Sequence, residues 1–375
     1  MSYLLSVVIP TKDRYIYLKE CLKTLVDLKS EELEIVVQDN TLDNSEIVSY
    51  IQELNWSHIK YFHSTENLSQ TENSDYAIKN ATGEYCCYIG DDDSLTVAAL
   101  EYTRYLRQNN MKACVCNVAT YHWPDVVFEK GSKPAFSFDD REVVVKTLKA
   151  DHVLKKVLSY GVQDIKYLPR VYHAIISMDI MQQIYERTGS YFPGPSPDMA
   201  NAISAALLID EYIYVRKSLI VSGYSYKSAG GMGLRGAHKG DLKSVKQLPK
   251  NAEKEWSPRI PKVWLGYTVW PESAEKAFAR MGAEKYIKKI NYYAMEAKIF
   301  LRYTEYRELI LKRIKNPAHL LRFGYECCRF MIRWCGERLD LIYRKRSGKQ
   351  CVLHERISLT EACNIVNKHN MNGGV

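Results

Sequence analysis

Three consecutive acids, Asp91, Asp92 and Asp93, close an apolar run that begins at Tyr85 and stops at Gly90. Carboxylates side by side at a strand end repel one another unless positive charge sits among them. A divalent cation that prefers hard oxygen ligands would supply it. Such an ion, held by one or two carboxylates, takes its remaining ligands from phosphate and water. The alternative is a solvated acidic turn, because Asp and Ser cap helix N-termini well and a helix-like segment over 94–107 follows directly.

The elements upstream decide what surrounds the triplet. Residues 4–10 form a β-branched run ended by Pro10, the pattern of a buried strand. The loop Thr11-Lys12-Asp13-Arg14 follows, then a helical stripe over 15–28 with Leu18, Cys21, Leu22 and Leu25. A second strand over 33–37 runs into Gln38-Asp39-Asn40. A helix over 46–54, a strand over 59–63 and a helix over 72–80 lead to the strand that ends in the acids. Such alternation predicts parallel βαβ units, and in these sheets ligands bind beyond the carboxyl ends of the strands. Thr11–Arg14, Asp39 and the triplet should therefore converge on one crevice.

Beyond the triplet the pattern loosens. A strand is expected over 114–120, an irregular stretch over 121–140, helix over 143–158, strand over 171–176 and helix over 178–187. Pro195-Ser196-Pro197-Asp198 should form a stiff turn into a helix over 199–208. Two short strands, 212–215 and 219–224, lead to a glycine-rich mobile loop over 228–240 holding Arg235, His238 and Lys239. Nearly everything after Glu253 reads as helix.

The 375 residues suffice for a large core and suggest two domains, or one with a long extension. No uninterrupted apolar run reaches the length of a membrane span, and the N-terminus lacks a basic region with an apolar signal core. The ten cysteines sit largely inside apolar segments and none forms a CxxC pair. A zinc site is thus not expected, and a reducing cytoplasm suits them best. The net charge of +8 lies wholly within 301–350, where thirteen Lys and Arg face five acids.

The first 95 residues resemble the family 2 glycosyltransferases of GT-A fold. The match is carried by Val7-Val8-Ile9-Pro10-Thr11-Lys12-Asp13-Arg14, by Glu34 to Asp39 with Asp43, by Ala81-Thr82-Gly83-Glu84-Tyr85 and by Gly90-Asp91-Asp92-Asp93. It extends more loosely to about residue 230, through Tyr191-Phe192, the turn before Asp198 and Val221 to Ser228. The chain looks like enzymes that build bacterial surface polysaccharides. The resemblance implies a Rossmann-like, mostly parallel α/β sheet flanked by helices. That domain would occupy 1–250, split into a nucleotide-sugar half (1–120) and an acceptor half with the loop (121–250). A helical, basic region would fill 251–375.

It also implies roles. Pro10, Thr11, Asp13, Arg14 and Asp39 would bind the nucleotide-sugar, with Asp39 accepting from uracil and Thr11 and Asp13 near the nucleoside. Asp91 and Asp93 would form the Asp-x-Asp motif holding Mn²⁺ or Mg²⁺ on the diphosphate, Asp93 most directly, with Asp91 or Asp92 facing ribose. Asp198 would be the base that deprotonates the acceptor in an inverting transfer; its other reading is a plain helix cap. Arg235, His238 and Lys239 would close over the diphosphate, or belong to a flexible surface loop. Lys12, Gln38 and Asp75 depart from common family patterns and weaken a strict UDP requirement. Arg333-Trp334 matches only part of a processive-synthase signature and at the wrong spacing, so single-sugar transfer to a saccharide or lipid-linked saccharide is favoured. The alternatives are a sugar-nucleotide nucleotidyltransferase, whose glycine-rich loop is missing after the first strand, and a non-catalytic peripheral membrane protein.

Residues 317–346 form a basic helix with Leu320, Met331, Leu339 and Ile342 among its apolar positions. It suits an anionic membrane surface at the inner face of the cell membrane, its own domain, or a second subunit in a homo-oligomer. No nucleic-acid-binding motif accompanies its basic cluster.

Overall fold

A computed structural model describes residues 3–129, 131–236, 239–242 and 253–372. Among the described residues eleven strands form one sheet: β1 (Leu5–Thr11), β2 (Leu33–Asp39), β3 (Ile59–His63), β4 (Tyr85–Tyr88), β5 (Ser94–Leu95), β6 (Ala113–His122), β7 (Phe136–Asp139), β8 (Val145–Lys149), β9 (Ala174–Ser177), β10 (Glu211–Tyr224) and β11 (Gln350–Leu353). The main path runs β11-β7-β6-β9-β4-β1-β2-β3, with β10 beside β6 and pairing β5 and β8. Strands β3, β2, β1 and β4 are parallel, as their alternation with helices predicts. Beyond β4 the sheet is mixed: β9 runs antiparallel to both β4 and β6, whereas β10 is parallel to β6.

Both faces of the sheet are covered. Leu5, Val7 and Ile9 of β1 point toward a core shared with the helices Tyr15–Val26 and Val97–Gln108. Val8 faces the opposite core, against the helices Gln70–Lys79, Ala150–Ser159, Met178–Thr188, Pro197–Ala206 and Gly266–Arg280. Burial on both faces is why β1 and β2 read as continuous apolar runs rather than alternating ones.

Several elements differ from the sequence pattern. Ser94-Leu95 is not the start of a helix but a short strand against Ile220 and Val221. Within the stretch expected to be irregular, Phe136–Asp139 pairs with β6 and β11. Val145–Lys149, expected as helix, is an edge strand on β10 whose side chains are mainly exposed. The two short strands expected over 212–224 are one strand, with its register interrupted between Val215 and Ile220. Ser228 caps a six-residue helix, Ala229–Leu234, where a loop was expected. Among the predominantly helical residues after 253, β11 is the exception. There the chain returns to the sheet, and the helix Leu359–Asn372 buries Leu359, Ala362, Cys363 and Val366 against Tyr17, Tyr121 and Phe136.

One part of the resemblance motif is structural. Glu34 is fully buried near the amino ends of the parallel strands, where it accepts from Thr82 N (2.8 Å), Thr82 Oγ1 (2.7 Å), Ser6 Oγ and Lys60 Nζ. Despite the opposing effect of burial, these partners hold its carboxyl below the usual range. Gly83 N donates to Ser6 Oγ, and a Cβ at Gly83 would stand 2.7 Å from that oxygen. Ala81-Thr82-Gly83 therefore locks β1, β2 and β4 together at the sheet edge opposite the acidic triplet.

The helix Gly266–Arg280 buries Glu272, which accepts from Ser257 N (3.0 Å). Burial pushes its carboxyl up to about 7. A raised carboxyl stabilises the fold below its ordinary range, and that contribution is lost as pH rises through 7. From pH 5 to pH 8 this group alone should cost about 2.5 kcal/mol. Glu272→Gln keeps an acceptor for Ser257, so its denaturation midpoint should vary less with pH than that of the wild type. Equal pH slopes would remove Glu272 from the account.

Candidate active site

The parallel strands deliver three polar clusters to one edge, at the carboxyl ends of β1, β2 and β4. After β4, the turn Gly90–Asp93 is closed by Asp93 N donating to Gly90 O and by Gly90 N donating to Asp93 Oδ2 (2.7 Å). All three acids are buried, so the solvated-turn alternative does not describe them. Thr11 Oγ1 donates to Asp91 Oδ2 (2.6 Å). The Arg14 guanidinium lies 2.8 Å from Asp91 Oδ1 and 3.1 Å from Asp92 Oδ2. Burial pushes the Asp91 carboxyl up to about 7, with the neighbouring acids adding to the rise and Arg14 and Thr11 opposing it. The Asp92 carboxyl is raised for the same reasons, burial first.

The far wall comes from β10 and the segment before β9. Gly223 N donates to Asp93 Oδ1 (2.7 Å), and Ser225 donates to Asp92 Oδ2 through both N (3.1 Å) and Oγ (2.6 Å). His173, with φ of 54°, sets its Nε2 2.6 Å from Asp93 Oδ2. Trp123 Nε1 donates to the carbonyl of Asp92 (3.0 Å). None of these four was singled out in the sequence. Ser225 sits in the Val221–Ser228 segment that carried the looser resemblance, whereas His173 is hidden inside an apolar run with no spacing signal.

Gly223 approaches the triplet closely. A Cβ there would fall 1.8 Å from the Asp92 carbonyl oxygen. Gly223→Ala should therefore displace the acidic turn, lowering stability by about 1–3 kcal/mol. A variant with wild-type melting would show that the turn yields freely.

Asp39 lies at the end of β2, fully buried. Its Oδ2 accepts from Tyr15 OH (2.6 Å) and Tyr61 OH (2.8 Å), and its Oδ1 accepts from Thr41 N (2.8 Å). The neighbouring Asp13 takes a left-handed backbone with φ of 58°, its N donating to Thr41 Oγ1 (2.8 Å). Pro10 is half-buried at the end of β1. The three departures from the family pattern have local partners. Lys12 donates to Asn40 and Asn67, Gln38 bridges Ser64 and Asn80, and Asp75 accepts from Ser190 Oγ and Tyr191 N.

Asp198 stands in the first turn of the Pro197–Ala206 helix, accepting from Met199 N (2.8 Å) and from Ser196 Oγ. Burial raises the phenols of Tyr88 and Tyr172, with Asp91 and Asp198 adding at the first and Asp93, Asp92 and Asp198 at the second. Arg235 packs over the Tyr226 ring at 4.0 Å, next to Ser225, whereas Lys239 pairs with Glu305 (2.9 Å) and is turned toward the C-terminal helices. His238 lies outside the described residues.

Among the described residues no three His, Cys, Asp or Glu side chains form a cage for a metal ion. The buried, mutually repelling oxygens of Asp91 and Asp93 nonetheless fit a hard cation that completes its shell with phosphate oxygens. Arg14 Nε is buried without a hydrogen-bond partner beside them, a donor available to an anion. Among the described residues no helix is long and apolar enough to cross a membrane.

Comparison with known proteins finds a family match across this edge. Residues 6–173 match Glycosyl transferase family 2. A stretch of 99 residues is 32% identical to the GalNAc(5)-diNAcBac-PP-undecaprenol beta-1,3-glucosyltransferase of Campylobacter jejuni, covering 26% of this chain and 32% of that relative. This chain thus matches about a third of the relative's length. Among solved structures, S. aureus TarS 1–349 in complex with UDP-GlcNAc aligns over 98% of this chain and 92% of its own, at 14% identity and a TM-score of 0.48. The mannosyltransferase PcManGT from Pyrobaculum calidifontis, with GDP-Man and Mn²⁺, aligns over 88% and 89% at 16% identity and a TM-score of 0.38. The residues that match glycosyl transferase family 2 include Arg14, Asp39, the acidic triplet and His173.

Proposed function

We propose that this chain is an inverting glycosyltransferase that moves one sugar from a nucleotide-sugar, UDP-linked by preference, to a hydroxyl of a saccharide or lipid-linked saccharide in surface polysaccharide synthesis. The observation that carries the reading is the buried acidic triplet at the carboxyl ends of parallel strands, within the residues that match glycosyl transferase family 2. The lipid-linked acceptor is supported by the name of the Campylobacter relative.

In this reading the nucleoside lies along Pro10, Thr11, Asp13 and Asp39, and the diphosphate lies over Asp91–Asp93. Arg14 shifts from compensating the acids to donating toward phosphate, using its unpartnered Nε. Asp93, with Asp91, would hold Mn²⁺ or Mg²⁺, which neutralises charge on the departing nucleoside diphosphate. His173 and Gly223 fix the rotamer of Asp93, and Ser225 that of Asp92. Asp198 takes the proton from the acceptor hydroxyl. Arg235, with His238 and Lys239, would cover the donor from the segment after Ser228; the Lys239–Glu305 pair must open first.

The test is release of nucleoside diphosphate from UDP-hexoses, UDP-N-acetylhexosamines and GDP-mannose, with and without Mn²⁺. Slow metal-stimulated hydrolysis of a UDP-sugar is expected, since water can replace the acceptor. Release from none of these donors would contradict the proposal.

A further inference from the structure

The 30-residue helix Pro317–Arg346 has two seams. The inner one is carried by His319, Phe323, Glu326, Phe330 and Arg333, spaced alternately by four and three residues. It packs on the body of the protein: Phe323 and Glu326 are buried, and Arg333 pairs with Asp164. The outer seam lies two residues further round, on the opposite side of the helix. Leu321, Tyr325, Cys328, Ile332, Cys335, Leu339 and Ile342 follow the same alternation of four and three without a break over three heptads. All seven are exposed; Leu321 and Ile332 show 75% and 74% of their surface to solvent.

Scattered exposed leucines need no explanation, but a continuous apolar stripe along some 30 Å of helix does. A repeat of 3.5 residues keeps one seam facing one straight neighbour, which is what a second helix requires. The flanks agree. If two copies ran parallel and in register, Arg338 would fall opposite Tyr343 of the second copy and Arg329 opposite Gly324, so no like charges would meet. A lipid surface would call for Trp and Phe to face outward. In this helix Phe323 is buried and Phe330 and Trp334 are half-buried on the inward side, so the outward aromatics are the two tyrosines, Tyr325 and Tyr343.

We propose that the outer seam of Pro317–Arg346 docks on the same seam of a second copy of this chain, making an isologous dimer. Because only exposed side chains are involved, the seam can be altered without touching the fold. Ile332→Asp places an unpaired carboxylate in the interface of each copy and should raise the dimer dissociation constant by about 100-fold or more.

The full chain and the Ile332→Asp and Leu339→Asp variants would be weighed by sedimentation equilibrium, with melting followed in parallel. A dimeric wild type and monomeric variants, all melting alike at a common monomer concentration beyond the loss attributable to dimer dissociation, is the expected result. A monomeric wild type would overturn the proposal, as would a dimer unaffected by both substitutions. Should a monomeric wild type sediment with vesicles containing phosphatidylglycerol and the variants not, the face would belong to a lipid surface instead.

Discussion

Asp198→Asn is expected to lower sugar transfer by roughly 10²–10⁴-fold while donor affinity stays near that of the wild type. The amide oxygen can still accept from Met199 N and Ser196 Oγ, so the first turn of the Pro197–Ala206 helix keeps its geometry. What is lost is the group able to take a proton. The loss should therefore fall on kcat and leave the calorimetric Kd for the nucleotide unchanged. An equally active variant would return Asp198 to the role of a helix cap. A variant that fails to bind nucleotide would mean the residue shapes the pocket rather than the chemistry.

Arg14→Ala carries the largest expected cost in stability. The Arg14 guanidinium is the cation within ion-pair distance of both Asp91 and Asp92, and it donates to Ser225 Oγ as well. Breaking such a buried pair typically costs 3–5 kcal/mol, because it strands the remaining charges. The pH dependence has a definite sign. Asp91 is already pushed up to about 7, so acid conditions protonate it and relieve the repulsion. The penalty should be smaller at pH 5 than at pH 8, whereas a surface ion pair, with its carboxylate ionised at both, would lose nearly the same at each. Nucleotide with Mn²⁺ should recover part of the loss at pH 8, since a ligand that binds only the folded state stabilises it by mass action. An Arg14→Ala protein as stable as the wild type at pH 8 would mean that the triplet does not carry the charge assigned to it.

The parallel half of the fold and the edge bearing the site were legible because β1, β2 and β4 are buried on both faces and each ends in polar residues. Strand β8 was not, because Val145–Lys149 lies at an edge with its side chains exposed and adjoins a true helix. The Phe136–Asp139 strand was concealed by its brevity, and its partner Gln350–Leu353 lies more than two hundred residues away. Within the site, Asp91–Asp93 announced themselves as like charges in a row. The groups that hold them did not: Gly223 acts through its backbone N–H, His173 through a left-handed backbone in an apolar run, and Ser225 through a pairing across the sheet. Such partners become visible only when topology brings distant segments together. Tyr15 and Tyr61 on Asp39 belong to the same class.

The most direct test of a cation-assisted nucleotide diphosphate site on the triplet is a calorimetric titration of UDP, with and without Mn²⁺, into the wild type and into Asp93→Asn, with both proteins first shown to be folded by melting. UDP binding that requires Mn²⁺ in the wild type and vanishes in the variant is the predicted result. UDP binding that is absent from the wild type, or indifferent to both the metal and the substitution, would contradict it.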